Sequence, residues 1–95
     1  MQSFPHSDEY NHFIAELRAA REVAGLSQAA LAERLHVDRT VVTKAEGGGR
    51  RLDVIELRAW LNAIGVELVP FVARLEDRLV RNAKPTQGKR PTRRT

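Results

Sequence analysis

Ninety-five residues, 42% of them hydrophobic and 29% charged, suffice for one small globular unit with a modest core. With no cysteine, disulfides and thiolate metal sites are excluded, which suits a reducing cytoplasm, and no apolar run reaches the roughly 18 residues of a membrane span. The formal charge of +4 is unevenly placed: Lys84, Lys89, Arg90, Arg93 and Arg94 are unopposed, whereas residues 1–81 carry eleven Lys/Arg against twelve Asp/Glu. A basic body is thereby excluded as a source of nucleic-acid affinity, and any such face must come from locally clustered cations. The opening MQSFPHSDEY lacks the basic start and apolar stretch of a signal peptide.

Residues 8–24 repeat apolar side chains at Tyr10, Phe13, Ile14, Leu17, Ala20 and Ala24, which is helical spacing. Ser7 or Asp8 can cap the start, and Gly25 can supply a left-handed residue at the end. Ser27 caps a second expected helix over 28–35, with Ala29, Leu31, Ala32 and Leu35 turned inward. Asp38 caps a third through Glu46, with Val41, Val42 and Ala45 on its inner side and Gly47, Gly48 and Gly49 stopping it. Asp53 and Glu56 have capping-box spacing ahead of a fourth helix that turns Val54, Leu57, Trp60, Leu61 and Ile64 inward and closes at Gly65. Val66, Leu68, Phe71, Val72, Leu75 and Leu79 fit a fifth helix if Pro70 sits in its first turn. The rival is a short extended piece, because the residue before a proline avoids helical angles. KPTQGKRPTRRT has no periodicity and little to bury, so disorder is expected there.

Three stretches in this order, LRAAREVAGLSQ, LAERLHV and TVVTKAEGG followed by RRLDVIEL, resemble the helix-turn-helix family of phage Cro and CI repressors, also called the XRE family. The likeness covers about residues 14–79. It implies an all-α, five-helix lambda-repressor-like DNA-binding domain over 8–81, with a flexible N-terminus at 1–7 and a basic disordered tail at 82–95. Two positions depart from the family pattern. His36 stands where glycine is usual because the backbone often takes positive φ there. Ala45 stands where a larger apolar residue is common, so looser packing of the third helix is expected.

The resemblance also assigns roles. Arg39, Thr40 and Lys44 occupy base-reading positions, and Thr43 is a plausible base or backbone contact. Arg and Lys suit guanine O6 and N7, while Thr offers a methyl to thymine or a hydroxyl to a base or phosphate. Gln28 would clamp the DNA backbone or buttress the third helix, and Arg50 and Arg51 would reach flanking phosphates without specifying sequence. Arg21 and Glu46 would form a partly buried salt bridge. His6, His12 and His36 lie apart with no ligand spacing, and no nucleophile elbow or P-loop is present, so neither metal, cofactor nor enzymatic activity is expected.

The function implied is a cytoplasmic, sequence-specific transcription regulator that binds double-stranded DNA, acting as a repressor. Homodimerisation is expected through the fourth and fifth helices, since Val69, Phe71, Val72, Leu75 and Leu79 exceed what a small core can use. An alternative is an antitoxin that binds a partner toxin and represses its own operon. A controller of restriction–modification genes would be chemically the same as the first reading.

Overall fold

The structure, a computed structural model, describes residues 7–83. Five helices follow in order: α1 (Asp8–Val23), α2 (Gln28–Leu35), α3 (Arg39–Glu46), α4 (Val54–Ile64) and α5 (Leu68–Arg81), with no strand among the described residues. No helix among them is long and apolar enough to cross a membrane. Of the expected tail, only Asn82 and Ala83 are described. Asn82 closes α5 by donating from its side-chain amide to the Arg78 carbonyl at 2.8 Å. The rest of the tail and residues 1–6 lie outside the described residues, whereas Ser7, expected in the flexible N-terminus, caps α1.

Local chemistry sets the helix boundaries. At the N-termini, Ser7, Ser27, Asp38 and Asp53 each accept a backbone N–H from the first turn, and Glu56 completes a capping box by accepting from the Asp53 N–H. Each such cap contributes about 1 kcal/mol. At the C-termini of α1 to α4 one turn recurs. A residue with positive φ (Gly25, His36, Gly48 and Gly65) is followed by an N–H that donates five residues back, from Leu26 to Arg21, Val37 to Ala32, Gly49 to Lys44 and Val66 to Leu61. These bonds satisfy carbonyls that the helix ends leave open. Among the described non-glycine residues only His36 adopts positive φ, at 60°. The fifth helix is realised, with Val66 and Glu67 leading in and Pro70 in the first turn, where its missing N–H does no harm.

All five helices contribute to one core. Leu17, Leu31, Val42, Leu61 and Phe71, one or more from every helix, are the largest fully buried side chains, and Trp60 packs with them. Phe13 meets Phe71 edge-on at 6.2 Å between ring centroids, tying α1 to α5. α2 and α3 lie against each other, α1 bridges α3 and α5, and α4 packs on α2 and α5. Ala29 and Val54, expected to turn inward, are instead exposed. Ala29 falls beside the narrow stripe of Leu31, Ala32 and Leu35 by which this short helix meets its neighbours, and Val54 is the first residue of α4, at the rim. Ala45 is 2% exposed and forms part of the core.

His36 holds a conformation that costs a side chain with a Cβ about 1 kcal/mol or more relative to glycine. His36→Gly is therefore expected to raise the thermal midpoint by several degrees, read by circular dichroism. A lower midpoint would show that contacts of the imidazole outweigh the backbone strain.

Candidate nucleic-acid interface

The Asp38 cap orients the start of α3. Its carboxylate accepts from the Thr40 hydroxyl and from the Thr40 N–H at 3.2 Å, and these two bonds, the hydroxyl's first, hold the carboxyl below its ordinary range. Val42 and Ala45 then face the core with Val41 half-buried, which leaves Arg39, Thr40, Thr43 and Lys44 exposed. Their spacing places them on one side of the helix, so α3 is divided lengthwise into an apolar seam and a polar, cationic face.

Glu46, the last residue of α3, is only 2% exposed, and Arg21 of α1 is 8% exposed. Arg21 grips the carboxylate with both prongs of its guanidinium: Nε donates to Oε2 at 2.7 Å and Nη2 to Oε1 at 2.9 Å. Its Nη1 donates to the Leu26 carbonyl at 2.7 Å, so the same side chain also secures the turn into α2. Gln28 adds a bond from Nε2 to Glu46 Oε1 at 3.0 Å, and Arg18 Nε stands 3.6 Å from that oxygen. Burial alone would push the Glu46 carboxyl up. The hydrogen bonds from Arg21 and Gln28, with the charges of Arg21 and Arg18, outweigh it and hold the carboxyl below the usual range. In turn, the bond to Glu46 holds the Arg21 guanidinium above its ordinary value.

The remaining expected contacts sit around this pair. Gln28 uses both ends of its amide within the protein, because its Oε1 accepts from the Thr43 hydroxyl at 2.9 Å. It therefore buttresses α3, and these two bonds engage only one of the two Nε2 hydrogens. Arg50 pairs with Glu56 at 3.0 Å, and the Arg51 guanidinium lies 4.3 Å over the Tyr10 ring. Both arginines are thus anchored in the loop between α3 and α4. Arg18 went unnoticed in the sequence, although the signal was there: in LRAAR it lies three residues before Arg21, hence on a neighbouring part of the same helix surface. Its side chain is half exposed beside Glu46.

A helix-turn-helix domain family model matches residues 12–71, well over half of the chain. The fold and sequence are also similar to an XRE-family like protein from Pseudomonas syringae pv. tomato str. DC3000, at 36% identity and a TM-score of 0.72 over 77% of this chain and 89% of that one. The chain belongs to the XRE-type helix-turn-helix family. A second solved structure, a point mutant of the restriction–modification controller protein C.Esp1396I, is 26% identical with a TM-score of 0.68, over 86% of this chain and 99% of that one. Comparison with the curated proteins finds no match. In this XRE-type regulator, α2 and α3 are the helix pair, and the polar face of α3 stands free of the core.

Removing one partner of a buried ion pair strands the other's charge, which costs about 3–5 kcal/mol, whereas replacing both by apolar residues can be nearly neutral. Arg21→Met and Glu46→Leu should each destabilise the XRE-type domain more than the double variant does, in a denaturation cycle. Additive losses would remove the coupling. Because the Glu46 carboxyl is held low in the folded state, its contribution is present above the ordinary glutamate range near 4.5 and lost as pH falls through the lowered folded value. The stability of Glu46→Gln should accordingly fall less steeply than wild type on acidification.

Proposed function

We propose that the protein is a sequence-specific transcriptional repressor that inserts α3 into the major groove and binds an inverted repeat as a homodimer. One observation carries the groove assignment: the exposed side of α3 bears Arg39, Thr40, Thr43 and Lys44, while its opposite side is locked into the core and by Glu46. Arg39 and Lys44 are suited to guanine O6 and N7. Arg50 and Arg51, with Arg18 beside the ion pair, would meet phosphates and fix the docking register. Since residues 1–81 carry twelve acidic against eleven basic side chains, affinity depends on these few placed cations and on Lys84, Lys89, Arg90, Arg93 and Arg94, not on a basic body.

A single recognition helix reads only a few base pairs, which favours two-fold use on half-sites about 10 bp apart, or another spacing that the interface sets. Val54 and Ile55 on α4 and Val69 and Val72 on α5 leave large aliphatic side chains in water, at 58%, 72%, 76% and 43% exposure. They are the surface we assign to the dimer contact. Phe71, counted in the sequence among residues beyond the needs of the core, is instead 0% exposed within the monomer, with Leu75 and Leu79 half-buried. A dimer seated on an operator excludes other proteins from that DNA, which is the repressor's mode of action. The likeness to a restriction–modification controller favours one particular regulated context, and a neighbouring methyltransferase or endonuclease reading frame would identify it.

Arg39→Ala and Lys44→Ala should each weaken binding to a site selected from random duplexes by about 1–3 kcal/mol and relax base preference at one position per half-site. Unchanged selectivity in both variants would remove α3 from the readout. Sedimentation should find a dimer at micromolar concentration, and Val69→Asp should shift it to monomer and weaken operator binding without unfolding the domain. A wild-type monomer under those conditions would refute the assigned interface.

A further inference from the structure

The exposed face of α3 is joined to the buried ion pair by a chain of hydrogen bonds whose direction is fixed. It begins at the Glu46 carboxylate, which is ionised and can only accept. Gln28 must therefore turn its Nε2 toward Glu46, at 3.0 Å, and this leaves Gln28 Oε1 facing the Thr43 hydroxyl at 2.9 Å. Oε1 carries no hydrogen, so the Thr43 hydroxyl has to donate. The reversed amide would set one acceptor oxygen against another at Glu46, so the chemistry of its two partners fixes the orientation of Gln28. A buried carboxylate thereby determines which way a hydroxyl points on the surface of the helix.

Thr43 is exposed, and its only hydroxyl hydrogen is committed to Gln28. What the side chain can offer a partner is a methyl group and hydroxyl lone pairs, and no donor. In the major groove, guanine O6 and N7 and thymine O4 require a donor, which Thr43 lacks; its lone pairs suit only the adenine and cytosine amino groups, and its methyl suits the C5 methyl of thymine. We propose that Thr43 reads a thymine through methyl–methyl contact, and that Gln28 is the positioning residue that withholds the Thr43 hydroxyl and fixes its rotamer. The proposal rests on the assignment of α3 to the major groove. Thr40 also donates its hydroxyl within the protein, to Asp38 two residues away. That contact is exposed and open to replacement by water, whereas Gln28 is tied to a buried group.

The test uses the full chain and a duplex selected from a random pool, with each thymine of a half-site replaced in turn by deoxyuridine, which removes one methyl. One position should lose about fourfold in affinity, the worth of one buried methyl group. Thr43→Val, which keeps methyl groups and has no hydroxyl, should still distinguish thymine from uracil there, whatever its absolute affinity. Thr43→Ser should not. Gln28→Leu should lose the distinction at that position while uracil effects elsewhere persist, a pattern that general destabilisation of α3 would not produce. Equal uracil effects in Thr43→Ser and wild type would overturn the methyl contact. Retained discrimination in Gln28→Leu, with only uniform loss of affinity, would overturn the positioning role. A pool yielding no preferred sequence would instead overturn the groove assignment beneath both.

Discussion

A carboxylate out of water at the end of α3 is the constraint around which this domain is arranged. Glu46 is tolerable there only because Arg21 meets it with two donors and Gln28 with a third. Those donors come from α1 and α2, so three helices must hold their mutual positions for one charge to be satisfied. Apolar packing alone sets orientation less sharply, because its contacts are non-directional whereas a forked guanidinium must align with its carboxylate. The pair therefore contributes less to net stability than to geometry. It sets the angle and register at which the polar face of α3 is presented.

That face is narrow, and its chemistry is more particular than a list of exposed residues suggests. Two cations, Arg39 and Lys44, are exposed, while the two threonines between them have hydroxyl hydrogens already engaged by Asp38 and Gln28. Around it, Arg50 and Arg51 are held by Glu56 and the Tyr10 ring rather than trailing in solvent, which lowers the entropy lost if they meet a ligand. A nearly neutral body with a few anchored cations leaves general attraction to the cations at 84–94 and makes placement on the body matter.

Much of this fold was legible in the sequence because its signals are local. Ser27, Asp38 and the Asp53–Glu56 box mark helix starts within three residues of the bonds they make, and Gly25 and Gly65 mark ends in the same way. His36 could be singled out only against the family pattern, which has glycine there, and it adopts positive φ. The ion pair was legible only through the family resemblance, since no periodicity links residues 25 apart. What escaped lies in contacts between elements. Nothing in the loop sequence places Arg51 on Tyr10, and the resemblance set Gln28 against α3 without giving its partners Thr43 and Glu46. Val54 and Ala29 satisfied the helical period yet lie exposed, because period alone does not say where a neighbouring helix stops.

The recurring turn at the ends of α1 to α4 has a consequence for how the chain reaches this state. Each boundary is closed by a bond spanning five residues, so the helix ends can form before distant parts of the chain meet. Chains dominated by such near-neighbour contacts fold on the microsecond-to-millisecond scale. Burial of Glu46 cannot happen so early, because its donors arrive from other helices. The recognition surface thus depends on contacts among α1, α2 and α3, whereas the helix ends depend on local ones.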